Sequence, residues 1–179
     1  MSRQTEALGK AIIALLPNLR RFAFALTGQR QDADDLLQST VERLLDRGVP
    51  ADADIARWSF RVCKNIWIDE IRARNVRRTA PEAHVGDESA SEDGERIVTD
   101  RVMLAEVNRA MATLPDEQRA ALSLVALEGL SYAETAEALG VPIGTVMSRV
   151  SRARRALTRA LAPKTPTETT HKKSSTAKR

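Results

Sequence analysis

The sequence predicts an all-α protein of two small helical domains joined by a flexible acidic linker, the C-terminal domain carrying a helix-turn-helix. Three observations predict it. Apolar residues recur at helical period through most of the chain. Aromatics make up only 3% of it, whereas Ala, Leu and Arg abound and Gly and Pro fall mostly at segment boundaries. Over 79–100 the periodicity lapses into TAPEAHVGDESASEDGERIVTD, rich in Ser, Gly and acids and poor in large apolar residues. The expected divisions are a helical block over 1–78, a linker over 79–100, a second block over 101–161 and a low-complexity basic tail over 162–179.

In the first block, Ile12, Leu15, Leu16, Leu19, Phe22 and Leu26 predict an initial helix. Pro17 is expected to break or restart it, and Gly28 to end it. DADDLLQSTVERLLDRG, from Asp32 to Gly48, is a second helix with Leu37, Val41, Leu44 and Leu45 as its buried stripe. Asp32, Asp34 and Asp35 fall in its expected first turn, where carboxylates favour the positive end of the helix dipole. That placement accounts for the three acids without a metal ion. A third helix runs from Ile55 to Arg78, with Phe60, Cys63, Trp67 and Ile71 at core spacing. Arg61, Lys64, Asn65 and Arg72 lie on another side, and Arg74, Arg77 and Arg78 load its C-terminal end.

The second block opens with a helix bearing Leu104, Val107 and Met111, closed by Leu114-Pro115. Asp116 starts the next, with Leu122, Val125 and Ala126 inward and Gly129 as the stop. Ser131 and Glu134 then form a capping box, so a helix starts at Tyr132 with Ala133, Ala136 and Leu139 as its apolar face. Gly140 ends it, and Pro142 suits the first turn of a following helix. Val146, Val150, Ala153 and Leu157 make that helix's inner stripe. The opposite side holds Ser148, Ser151, Arg152 and Arg155, flanked by Thr145, Arg149 and Arg154. A solvated face mixes charge signs. This helix carries five arginines and no acid, which points to a polyanion, most simply DNA.

Total charge is a poor guide here. The pI of about 9.6 reflects a net charge of +4, and the stretch from Lys164 to Arg179 alone nets +4. The evidence for DNA is therefore local segregation of charge. Cys63 is the single cysteine, which excludes an intramolecular disulfide and makes a core residue in a reducing cytoplasm the expectation. His84 and His171 lie far apart with no second cysteine, so neither a zinc site nor any cofactor is expected. No nucleophile set, P-loop or metal cluster supports an enzyme, and no apolar run is long enough to span a membrane.

Three segments in order resemble the extracytoplasmic-function group of bacterial sigma factors, over roughly residues 10–161. LPDEQRAALSLVALEGLSYAETAEALGVPIGTVMSRVSRARRAL, from Leu114 to Leu157, is similar to the domain that binds the promoter −35 element. DADDLLQSTVERLL, from Asp32 to Leu45, is similar to the helix that docks on the polymerase clamp. RWSFRVCKNIWIDEIRARNVRR, from Arg57 to Arg78, is similar to the segment that melts and reads the −10 element. The resemblance implies a monomeric initiation subunit that binds core RNA polymerase and promoter DNA and is held by an anti-sigma factor. It implies −35 contacts by Thr145, Ser148, Arg149, Ser151, Arg152 and Arg155, and −10 binding and melting by Trp58, Arg61, Lys64, Asn65, Arg72, Arg77 and Arg78. Asp32, Asp34, Asp35, Leu36 and Gln38 are the implied docking residues. The loop over 48–56 would help capture a flipped base, with Asn65 lining the pocket. Met147 and Ser151 depart from the larger or basic side chains common in the family, and leave the −35 preference open. A sigma-like decoy that binds an anti-sigma factor without reading promoters is the alternative.

Overall fold

The computed structural model describes the backbone of residues 3–79 and 95–162 and the side chains of residues 6–76 and 103–162. The described elements are seven helices: α1 (Arg3–Thr27), α2 (Arg30–Arg47), α3 (Ile55–Thr79), α4 (Glu95–Ala112), α5 (Asp116–Ala126), α6 (Tyr132–Leu139) and α7 (Ile143–Leu161). Among the described residues there is no strand. The stretch over 80–94 that forms most of the expected linker, and the tail over 163–179, lie outside the described residues. Helix α3 takes in Thr79, and α4 begins at Glu95, so both helices extend into the range expected for the linker.

Helix α1 runs unbroken through Pro17, against the expected break. Pro17 and Ile13, whose carbonyl the proline leaves without its helical partner, are both exposed, so water can serve that group. An interior proline costs about 3 kcal/mol. Ile12 on one side of it and Leu19, Phe22 and Leu26 on the other are all buried. At about 1.5–3 kcal/mol for each such side chain, one continuous apolar face outweighs that cost.

Helix α2 buries Ala33, Leu36, Thr40 and Leu44. This stripe is rotated from the expected one: Leu37 and Val41 are half-buried, and Leu45 is 51% exposed. The rotation follows from Thr40, which reads as polar in sequence but satisfies its hydroxyl by donating to the Leu36 carbonyl at 2.7 Å. Helix α3 buries Phe60, Cys63 and Trp67 as the spacing predicted, with Ile71 packed at the edge. Phe22 and Phe60 meet edge to face, 5.2 Å between centroids.

Helix α5 buries the run Ala120 to Leu124, while Val125 is half-buried and Ala126 exposed. Helix α6 begins and ends as expected: both halves of the Ser131–Glu134 capping box are formed, and Gly140 is left-handed at φ 67°. Its buried residues are Thr135, Ala138 and Leu139, while Ala133 is exposed. Pro142 stands one residue before α7 as its N-cap, and α7 buries Val146, Val150 and Ala153.

The two blocks share one hydrophobic core. A single cluster joins Leu19, Phe22, Leu26, Phe60 and Trp67 to Leu114, Ala120, Leu124, Val146 and Ala153. Helix α1 packs against α5, and α3 against α6.

Candidate nucleic-acid interface

The inner stripe of α7 fixes which side chains point outward. Ser151, Arg152, Arg154 and Arg155 are exposed, and so is Met147 at their N-terminal edge. Thr145 and Ser148 are half-buried, and the Ser148 hydroxyl donates to the Thr145 carbonyl at 3.0 Å. Arg149 departs from the expected face: it turns toward α5 and binds Glu117 at 2.7 Å. The outward cations of this helix are therefore Arg152, Arg154, Arg155 and Arg159.

Helix α3 holds the second basic set. Between the end of α2, the 48–50 loop and α3 lies a cavity of ≈ 380 Å³. Arg43, Arg47, Gly48, Val49 and Pro50 line one side of it, and Trp58, Val62, Asn65, Ile66 and Asp69 the other. The sequence-predicted loop and Asn65 thus come together, and Trp58 joins them. Gly48 turns the chain into the loop at φ 72°, a conformation that costs a side-chain-bearing residue strain. Asn65 and Arg72 are exposed, Arg72 within 3.8 Å of Asp69. The side chains of Arg77 and Arg78 lie outside the described residues.

Arg61 and Lys64 are not free on the α3 surface. Arg61 lies over the Trp58 ring, 5.5 Å from its centroid, and donates to the carbonyl oxygens of Glu137 and Ala138 at the end of α6. Lys64 is half-buried. Burial pushes its ammonium below the ordinary lysine range; Glu117 opposes this, and the charges of Arg149, Arg61 and Arg72 add to it.

On α2, Leu36 is fully buried, so its side chain anchors the helix to the core and cannot meet a partner, a correction to its expected docking role. Asp34 is held by Arg20 in a two-pronged pair at 2.8 and 2.9 Å. It and Asp35 also sit past the first turn, because α2 begins at Arg30. Gln38 is exposed and donates to Glu42 at 2.9 Å. Asp32 and Asp35 lie close enough to Glu70 of α3 to act on its charge. Burial raises the Glu70 carboxyl above its ordinary range, Arg74 opposes that, and the two aspartates reinforce it. The result is an acidic patch shared by α2 and α3.

Residues that periodicity did not single out hold the blocks together. Arg21 binds Glu128 through two bonds of 2.9 and 2.8 Å, and the Asn18 amide donates to the same carboxylate at 2.9 Å. The Glu128 side chain is wholly buried. Arg119 donates to the Leu26 carbonyl at the end of α1 and to the Ala112 and Leu114 carbonyls, beneath its stacking contact with Trp67. Arg57 reaches Glu137 at 3.1 Å and Glu134 at 3.7 Å. One signal was present: Glu128 is the lone acid in the apolar run LSLVALEGL.

Comparisons with known proteins agree with this geometry. Residues 104–157 match the family model for sigma-70 region 4, and residues 12–62 match that for the sigma2 domain of PhyR. The chain is 34% identical over 153 residues to the ECF RNA polymerase sigma factor EcfG of Rhodopseudomonas palustris, covering 84% of this chain and 82% of that one. Among solved structures it is similar to the sigma factor RpoE in complex with the anti-sigma factor NepR from Bartonella quintana. That match has a TM-score of 0.68 and 26% identity, and covers 89% of this chain and 99% of that one. It is also similar to CnrH in complex with the cytosolic domain of CnrY, with a TM-score of 0.63 and 25% identity over 89% and 90% of the two chains.

Proposed function

Because the chain belongs to the extracytoplasmic-function RNA polymerase sigma factors, we propose that it binds core RNA polymerase, brings it to promoters with defined −35 and −10 elements, and promotes melting there. The role is that of a DNA-reading initiation subunit and not of a catalyst. The observation that carries the reading is the outward face of α7, with Ser151, Arg152, Arg154 and Arg155 exposed and no acid on the helix. Such a face can enter the major groove, where arginine makes paired hydrogen bonds to guanine and grips phosphate. Ser151 beside Arg152 keeps the surface low enough for close approach.

The roles divide by block. In the C-terminal block, over 101–161, Arg152 and Ser151 read −35 bases, Arg154 and Arg155 hold backbone, and Thr145 and Ser148 border the contact. Arg149 supports the face through Glu117. In the block over 1–78, the cavity beside Trp58 and Asn65 takes an unstacked −10 base, with Arg43 and Arg47 at its rim to hold the adjoining phosphates. Arg61, Lys64 and Arg72 line the path of the strand, which Arg77 and Arg78 extend. Asp32, Asp35 and Gln38, with Glu70, offer polymerase an acidic docking face. The 15 residues over 80–94, between the end of α3 and the start of α4, reach at most roughly 50 Å when extended, about one and a half turns of B-DNA at about 34 Å each. The two blocks can then engage both elements of one promoter together.

An anti-sigma factor is the expected inhibitor, since the similar sigma factor RpoE was solved in complex with the anti-sigma factor NepR. The match of residues 12–62 to the sigma2 domain of PhyR favours one second reading, a decoy that occupies an anti-sigma factor without reading promoters. A decoy has no use for the exposed arginines of α7. Transcription in vitro with core polymerase on a genomic fragment library separates the two. Start sites that share −35 and −10 elements and depend on the added chain support the initiation role. A chain that binds polymerase weakly or not at all, and yields no such starts, sinks it. Among the described residues no helix is long and apolar enough to cross a membrane.

A further inference from the structure

Helix α7 changes character partway along. From Ser151 onward its outward face carries Arg152, Arg154, Arg155 and Arg159, all exposed. Before Ser151 it offers no outward cation, because Arg149 is turned to Glu117 at 2.7 Å. The proton of the Ser148 hydroxyl is also engaged, on the Thr145 carbonyl at 3.0 Å. Gly144 is exposed, and a Cβ there would meet nothing within 4 Å. From this low, neutral surface two large apolar side chains stand out, Met147 at 52% exposure and Ile143 at 49%. Met147 shares a row with Ser151 and Arg154, four and seven residues on. Side chains on a helix lean toward its N-terminus, so Met147 projects over the turn that holds Gly144.

A lone exposed apolar side chain is ordinary on a protein surface. Position gives this one a meaning. The N-terminal residues of a recognition helix are those that meet base edges. Around Met147, Gly144, Ser148 and Ser151 are all small, so the helix can sink into the groove until the methionine touches its floor. On a base edge in the major groove the large apolar group is the 5-methyl of thymine. Packing the methionine on that methyl removes both from water and leaves no polar atom stranded. Set over the acceptors of guanine or the amine of cytosine, the same apolar chain would cover polar atoms without satisfying them.

We infer that Met147 is a specificity residue of the −35 contact: it reads the 5-methyl group of a thymine and so selects an A·T pair at one position. This rests on the reading that α7 enters the major groove at the −35 element. The helix then divides its work. Its neutral first half selects by apolar contact, and its arginine half by paired hydrogen bonds and grip on phosphate. Ile143, one turn before Met147, shields the methyl contact from water.

Removing one methyl group tests this on the full chain with core polymerase. A promoter recovered by the transcription assay is prepared as a set of duplexes, each with one −35 thymine on either strand replaced by deoxyuridine. Deoxyuridine keeps every hydrogen bond of thymine and lacks only the methyl. For the unaltered chain one replacement should weaken binding about fourfold, the worth of one buried methyl group. Met147→Ala should weaken binding to the unmodified duplex by about as much, and should lose its response to that same replacement. Met147→Leu should keep both the affinity and the response. Far-UV ellipticity checks that the helices are retained in each variant. A −35 element with no thymine on either strand, no duplex that responds, or an equal response in Met147→Ala and the unaltered chain would each overturn the inference. Arg152→Ala on the unmodified duplex checks the reading beneath it. If that variant binds as tightly as the unaltered chain, α7 does not read the element and the groove reading falls with the inference. If it binds more weakly while no deoxyuridine duplex responds, the groove reading stands and the Met147 assignment alone fails.

Discussion

The blocks meet at two joints built from different materials. At the α1–α5 joint, Arg119 and the Arg21–Glu128 pair are set among Leu26, Trp67, Ala120 and Leu124, and the polar atoms they satisfy are largely buried. At the α3–α6 joint, Arg57 and Arg61 reach side chains and carbonyls at an exposed helix end, with Glu137 64% exposed in its side chain. Burial decides what each can do. A buried ionic contact is costly to break because the partner left behind has no water. An exposed pair contributes at most about 1 kcal/mol and can be exchanged for another anion. The first joint is suited to holding the blocks together, and the second adds less to that hold.

The sharpest way to break this contrast is at Arg119. Arg119→Ala should cost about 3 kcal/mol, because it strips a charged donor from three carbonyls at once, and it also loses the contact with Trp67. Arg119→Lys should recover less than half, since one ammonium cannot copy a planar fork. Urea midpoints measure both. A loss near zero for the alanine variant would mean that the first joint is no more than a surface contact.

The Arg21–Glu128 pair should respond asymmetrically. Arg21→Ala leaves a wholly buried carboxylate with only the Asn18 amide, and about 2–3 kcal/mol is expected, toward the low end for a broken buried pair because Arg21 is itself half exposed. Glu128→Gln leaves a guanidinium that water can reach and should cost about 1 kcal/mol. Equal losses would show that the carboxylate is hydrated in solution.

Between the two basic helices the expected difference lies in DNA and not in stability. Arg152→Ala should weaken promoter binding by about 1–3 kcal/mol in a sequence-dependent way. Arg149→Ala should act mainly on stability, by about 1 kcal/mol through the lost Glu117 contact, with a smaller effect on binding that is even across sequences. Binding titrations on promoter and scrambled duplexes at two salt concentrations distinguish them. An equal loss on both duplexes for Arg152→Ala would make it a phosphate contact.

The exchange of roles at Arg149 and Arg61 shows where sequence stops being legible. The 3.6-residue period placed Val146, Val150 and Ala153 inward and so correctly left Arg152 and Arg155 outward. Capping chemistry set both ends of α6, because Ser131, Glu134 and Gly140 act on backbone within a few residues of themselves. What a period cannot carry is the fate of a side chain at the edge of a stripe. Arg149, Arg61 and Leu36 all sit within one rotation step of a boundary, and partners distant in sequence decide which side claims them. Thr40 misled for a related reason: its hydroxyl is satisfied by its own helix, so a polar letter occupies a core position. The cavity was half legible, since the loop and Asn65 were placed together, whereas Arg43 and Arg47 enter only through the way α2 packs on α3.

The smallest effect is an acid response at the polar joint. The Glu134 carboxylate accepts from the Ser131 hydroxyl at 2.7 Å and from the Ser131 N–H at 2.9 Å, and it lies 3.7 Å from Arg57. The Ser131 hydroxyl, then its N–H, and the Arg57 charge hold this carboxyl below its ordinary value of 4.5. The unfolded chain therefore takes up the proton first, and the contact's stabilisation is full above 4.5 and fades as the pH falls through the lowered folded value. Amide protection at Ser131 and Glu134, read by hydrogen exchange, should decline over that acid range. Glu134→Gln keeps the capping geometry, because a glutamine oxygen can also accept from the Ser131 N–H, and should flatten the response while leaving α6 formed. A response that persists in Glu134→Gln would show that the Glu134 carboxyl is not the group that titrates at this joint.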